Sequence, residues 1–229
     1  FFHGGCWIPD TAYFKKVGPL FGRVLSEQGS ERIGMVLFSR MAAGLGTVPF
    51  AVHSICMNIC DIYYDFIMGF GKAGMVSAGQ AVGRGSMADW QQYRKRGLRW
   101  CLLLSSAACV SILFFEDSLF SIYSSDPALH VLAGPIMVFI ALVSYPEALA
   151  LWGAGILRGS GQTAQVAAYS FLSITFLRPL MTAFFIYVLD MGLIGTWCAL
   201  FIDQVIRASC AAFLVNRLSA KRGFLPDAG

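Results

Sequence analysis

The chain is poor in charge: 13% of its 229 residues are Asp, Glu, Lys or Arg, about half the share of an ordinary soluble domain. With 57% hydrophobic residues and a mean hydropathy of +0.65, that deficit excludes a solvated globular enzyme and places the chain in lipid. No segment reads as a convincing strand. No basic region followed by an apolar run and a cleavage site opens the sequence, which starts at Phe1 and reads as a piece of a longer protein. The seven cysteines are odd in number and lack CxxC spacing, which argues against a metal or redox set. They read as small buried hydrophobes.

Long apolar runs are abundant. Six segments, at about 17–43, 48–78, 98–115, 128–157, 164–189 and 193–214, each come near the 20 or so helical residues that a bilayer requires. They predict an all-α integral membrane protein, with a lead-in at 1–16 and a tail at 217–229. The connections carry turn chemistry at Gly44 to Gly46, Gly83 to Ser86, Ser125 to Pro127, Gly159 to Gly161 and Asp190 to Gly192. Asp126 before Pro127 predicts a helix N-cap with proline at the first helical position. Pro135 and Pro146 are expected to interrupt the fourth span and Pro179 the fifth.

Basic residues alternate by connection. Lys15, Lys16 and Arg23 open the first span; Arg84, Arg94, Lys95, Arg96 and Arg99 crowd the second connection; Arg158 lies in the fourth; Arg217, Lys221 and Arg222 follow the last span. The other connections hold Glu116, Asp117, Asp126 and Asp190. The positive-inside rule therefore puts both ends in the cytoplasm of a multi-pass plasma-membrane protein. The net charge of +4 reflects topology, not nucleic-acid binding.

Charges inside the spans are too many for lipid-facing positions. Glu147 stands alone in an uncharged stretch from Ala128 to Leu157, where an ionised carboxylate costs roughly 2.5 to 3.5 kcal/mol on insertion scales and marks a functional site. Glu27 and Glu31, and Asp61 and Asp65, are like-charged pairs four residues apart, a pattern suited to proton binding in low dielectric. Asp203 and Arg207 are spaced to pair on one helix. Gly69, Gly71 and Gly74 match GxGxxG, but within a span they serve close helix packing and not a nucleotide. Tyr64 and Asp65 suggest an intramembrane aspartyl protease, whose second element, GxGD, is absent.

Two runs resemble the multidrug and toxic compound extrusion (MATE) transporters. Gly44-Leu-Gly-Thr-Val-Pro-Phe-Ala-Val-His53-Ser-Ile-Cys-Met-Asn58-Ile, with Gly79-Gln-Ala-Val-Gly83-Arg-Gly85, is similar to the family's seventh-to-eighth helix region. Ala154-Gly-Ile-Leu-Arg158-Gly-Ser-Gly-Gln-Thr163 is similar to the AGxLRGxGxT motif after the tenth helix. The resemblance runs from about Lys15 to Leu218 and implies the C-terminal six-helix half of a twelve-helix protein.

The resemblance also implies a site. The family's seventh-helix acid lies 22 positions before the motif histidine, and its tenth-helix acid eight before the motif glycine; these positions hold Glu31 and Glu147. Both are expected to bind cations, protons or cationic substrates, with Asp61 and Asp65 as further candidates. His53, Asn58, Arg158 and Gly159 are expected to be structural. The implied function is Na⁺- or H⁺-coupled export of organic cations by alternating access, without a cofactor or any metal beyond Na⁺ at Glu31 and Glu147. The implied partners are membrane lipid and the absent N-terminal lobe. Departures include Ser54 after the histidine, Glu at position 147 where Asp is common, and the extra charges Asp61, Asp65 and Lys72, which weigh against a standard multidrug spectrum. Lys72, Arg40 and Arg178 leave open a lipid-linked precursor flippase, and the absent lobe an inactive half-transporter.

Overall fold

The computed structural model describes residues 29, 31–124 and 126–220, and their regular structure is helical throughout. The lead-in, Lys15, Lys16, Arg23, Glu27, Lys221 and Arg222 lie outside the described residues. Helix α1 covers 31–43. It is followed by α2 (Thr47–Gly83), α3 (Met87–Phe114), a short α4 (Glu116–Ser121), α5 (Pro127–Gly159), α6 (Thr163–Val188) and α7 (Gly192–Ala220).

Of the six expected spans, α3, α5, α6 and α7 are long and apolar enough to cross a membrane. Helix α2, at 37 residues, would rise about 55 Å and is long enough, but His53, Asn58, Asp61, Asp65 and Lys72 dilute its hydropathy, and it is not among the four. The second connection also differs from expectation. Met87 to Arg99 is helical, so Arg94, Lys95, Arg96 and Arg99 lie on α3, leaving Arg84 in the turn. The first turns of α3 are tied to the bundle: Trp90 Nε1 donates to Ser160 Oγ at 2.8 Å, Arg94 donates to Asn216 at 2.9 Å, and Trp152 Nε1 donates to the Arg94 carbonyl at 3.3 Å.

Glycine sets two of the helix ends. Past α2, Gly85 adopts φ +65°, Gly85 N–H donates to the Val82 carbonyl and Ser86 N–H to the Ala81 carbonyl. Past α5, Gly161 adopts φ +80°, with Gly161 N–H on the Arg158 carbonyl and Gln162 N–H on the Leu157 carbonyl. Both are Schellman motifs, in which a left-handed residue lets two otherwise orphaned carbonyls find donors. Ser86 then caps α3 by accepting the Asp89 N–H, and Asp126 caps α5 by accepting the Ala128 N–H at 2.9 Å.

Helix α5 is the hub, packing against α2, α3 and α7. It runs unbroken through Pro135 and Pro146, contrary to the expected interruptions. Beside Pro146, the Tyr63 hydroxyl bonds Ser105 Oγ at 2.7 Å and donates to the Ser144 carbonyl at 2.9 Å. Where α2 crosses α5, a Cβ on Gly155 would strike the Gly71 backbone and one on Gly159 the Met75 carbonyl. The ring of Trp152 fills the space left by Gly74 and Gly97.

Helix α6 is not uniform. Residues Leu172–Leu177 and Phe184–Val188 are π-helical, flanking the α-helical turn that contains Pro179.

Two apolar clusters fill the bundle, one around Phe38, Val52, Ile140 and Trp197, the other around Ile67, Trp90, Leu151 and Leu157. Between them, at the level of Ser144 and Glu147, is a layer of buried polar side chains.

Candidate functional site

Glu147 leaves α5 inside that layer with 3% of its surface exposed. Its Oε1 accepts Gln204 Nε2 at 3.0 Å; its Oε2 is buried and has no partner among the described residues, and neither has the Oε1 of Gln204, itself 4% exposed. The carboxylate is therefore half satisfied. An oxygen of this kind, out of water and without a donor, costs free energy until a proton, a cation or an N–H group reaches it.

The expected Asp203–Arg207 pair does not form. Asp203, wholly buried, accepts Arg178 Nε at 2.9 Å and Arg178 Nη2, and Ser173 Oγ on its other oxygen. The cause is the π-helical register of α6. In an α-helix, positions five apart diverge by about 140°, whereas a π turn, with its i to i+5 bonds, stacks them. Ser173 and Arg178 thus converge on one carboxylate. Arg178 also contacts the Met35 sulfur at 3.0 Å and lies over the Phe38 ring, its guanidinium carbon 5.7 Å from the centroid, which fastens α1 to α6.

The remaining charges surround the same layer. Arg207 is half-buried with an unpartnered Nε. Arg207 and Arg178 both lie within electrostatic reach of the Glu147 carboxylate, as does Asp61, a like charge. Tyr64 of α2 lies within electrostatic reach of Arg207, Glu147, Glu31 and Arg178. Asp61 and Asp65 are exposed and repel one another, sharing a face of α2 with exposed Asn58 and Lys72.

His53 is 2% exposed and lies edge-on to Phe38 and Trp197, with ring centroids 5.4 and 5.8 Å away. Arg158 and Gly159 form the last turn of α5 against α2. Among the described residues, no three of His, Cys, Asp and Glu converge as a metal-ligand set.

Gln204 and Ser173 escaped the sequence reading. Gln204 could have been found as another strong hydrogen-bonding side chain in an apolar span; Ser173 could not, because its role depends on a π register.

Bilayer-length helices packed around a largely buried layer of acid, amide and guanidinium groups have the build of a multi-pass membrane transport protein. The MatE family model matches residues 19–184, more than half of the sequence. The chain belongs to the MatE family, whose members are secondary transporters and not enzymes. It is 24% identical over 216 residues to the multidrug resistance protein MdtK of Yersinia enterocolitica, covering 92% of this chain and 46% of that one. It is 27% identical over 177 residues to multidrug and toxin extrusion protein 1 of Rattus norvegicus, covering 77% and 31%. In structure it resembles a MATE protein in the straight conformation, with TM-score 0.79, 17% identity and coverage of 92% and 47%. An outward-facing multidrug resistance MATE transporter gives TM-score 0.76 at 18% identity, covering 90% and 45%. The chain thus spans about half, or less, of the length of the relatives it matches.

Proposed function

We propose that this chain forms one six-helix lobe of a twelve-helix antiporter that exports organic cations in exchange for inward Na⁺ or H⁺. The observation that carries this reading is Glu147, a buried carboxylate with one bonded and one vacant oxygen between two apolar clusters. Such a group cannot stay charged and unpaired cheaply, so coupling ion and substrate compete for it, and loading by one releases the other. Glu31 of α1 lies within electrostatic reach of Tyr64, as Glu147 does. Asp61 and Asp65, on the exposed stripe of α2, front the space between the lobes, where a cation enters.

The solved relatives support the lobe reading, since nearly all of this chain matches less than half of each. The second lobe then belongs to the same polypeptide, membrane lipid surrounds both, and no cofactor is required. The basic residues Arg84, Arg94, Lys95 and Arg96, at one end of the bundle, put both ends of this segment in the cytoplasm. A flippase for lipid-linked pyrophosphates is not favoured: Arg178, one of its expected anion ligands, is neutralised by Asp203.

The test is efflux from loaded vesicles under imposed sodium or proton gradients. Glu147→Gln and Glu31→Gln are each expected to abolish coupled efflux while the protein still inserts. Normal efflux by both variants would overturn the assignment.

A further inference from the structure

The inner face of α3 carries Trp90, Cys101, Ser105 and Ile112, all buried. Its outer face carries Arg96, Arg99, Leu103, Val110 and Phe114, which follow at intervals of three, four, seven and four residues and so lie in one line along the helix. Lys95 flanks that line, and all six side chains are exposed. Phe114 leaves 82% of its surface uncovered, and Trp100, next to Arg99, leaves 63%. The line changes chemistry once, from cations up to Arg99 to apolar side chains after it. Trp100 sits at the change.

That change fits a membrane boundary. From Arg99 to Phe114 the helix rises about 22 Å, most of a hydrocarbon thickness of about 30 Å. Leu103, Val110 and Phe114 thus meet acyl chains, and Trp100 meets the interface where aromatic rings collect. The three cations reach the headgroup layer, with their aliphatic stems along apolar surface. No acid of α3 answers them, since its one acid, Asp89, pairs with Arg84 at 3.4 Å. Among the described residues, Lys95, Arg96 and Arg99 enter no ion pair. Arg94, by contrast, turns into the fold, onto Asn216 and over the Trp90 ring. The positive-inside rule asks for cations at this end of the bundle; it does not ask that three of them share the lipid-facing side of one helix. Bonds from Trp90 to Ser160 and from Trp152 to the Arg94 carbonyl hold that side outward.

We propose that Lys95, Arg96, Arg99 and Trp100 form a binding surface for acidic phospholipids, with the headgroup phosphate and its extra negative charge on the cations and the glycerol region against the indole. Lipid fits this surface better than a second lobe does, because the exposed side chains that continue it are apolar, whereas the outer stripe of α2 is polar. A cation near an acidic surface adds attraction that amounts to about a fivefold change in association. The surface is separate from Glu147, so its failure leaves the transport reading standing.

The test is a titration of the detergent-solubilised full-length protein with phosphatidylglycerol or phosphatidylcholine, each carrying a fluorescent acyl tail and read by energy transfer from tryptophan. The wild type is expected to bind phosphatidylglycerol more tightly. Arg99→Gln should lower the ratio of the two affinities by about fivefold, Arg99→Lys should keep it, and Lys95→Gln, Arg96→Gln and Arg99→Gln together should bring it to unity. Arg84→Gln, which removes a paired cation at the same end, should leave the ratio unchanged. Retained phosphatidylcholine binding and an unchanged melting temperature serve as folding controls; if the triple variant unfolds, the two Arg99 variants decide. A wild type without preference, or a triple variant with the wild-type ratio, overturns the proposal. An equal loss in Arg84→Gln and Arg99→Gln also overturns it, by showing attraction to the net charge of that end. Displacement of the lipid by inorganic phosphate at fixed ionic strength overturns it in favour of a small-anion site.

Discussion

At the scale of single residues, the buried charges divide into a closed set and an open one. Asp203, Arg178 and Ser173 close on each other; Glu147 and Gln204 share one bond, but among the described residues Glu147 Oε2, Gln204 Oε1 and Arg207 Nε find no partner. The closed set is structural, since its guanidinium bonds Asp203 and Met35 and lies over Phe38. We expect Asp203→Asn or Arg178→Met alone to destabilise the protein by about 3 to 5 kcal/mol, because each strands an opposite charge out of water. The pair changed together should cost much less than the sum, as read from thermal unfolding in detergent. Additive losses would show that the two do not act as a pair. The exceptional character of Glu147 was legible in its isolation within an apolar stretch. The partner of Asp203 was not, because the i, i+4 rule assumes an α-helix around it and ignores competitors on another helix.

At the scale of elements, turn and cap chemistry was read with little loss. Asp126 with Pro127, and the glycines at 85 and 161, mark helix ends that the structure forms with the hydrogen bonds their residue types supply. Proline was overread: Pro135 and Pro146 lie inside one continuous helix. The basic residues after Arg84 were also misplaced, into a loop, because charge lowers hydropathy without lowering helix propensity. Glycines alike in sequence differ in function: Gly155 lies against the backbone of Gly71, while Gly69 has open space beside it. Gly155→Ala should therefore cost about 1 to 3 kcal/mol by forcing α2 and α5 apart, whereas Gly69→Ala should be neutral or stabilising. Melting temperatures of the two variants in detergent provide the comparison; similar shifts would show that the helix crossing tolerates a methyl group.

At the scale of the whole molecule, α2 has two faces. Its inner face, with Ile59, Tyr63, Ile67 and Gly71, packs into the bundle; its outer face presents Asn58, Asp61, Asp65 and Lys72. Acids at that depth are tolerated where they line water or protein. We expect Asp61→Cys and Asp65→Cys, in a background without the seven native cysteines, to react rapidly with a membrane-impermeant thiol reagent, and a cysteine at Val131, on the exposed apolar side of α5, to react slowly. Equal protection of all three positions would place the α2 stripe in lipid or in a dry interface.

By itself, the sequence determined the medium, the all-helical class, the family and one buried acid, Glu147. These follow from composition, run length and short motifs, which act locally along the chain. Tertiary structure decided which charges are satisfied and which remain open. The π turn of α6 gave Asp203 to Arg178, the α5–α7 contact gave Gln204 to Glu147, and Arg207 was left without a carboxylate among the described residues. Pairing in low dielectric depends on positions a few ångströms apart on different helices, and no spacing along one helix encodes them.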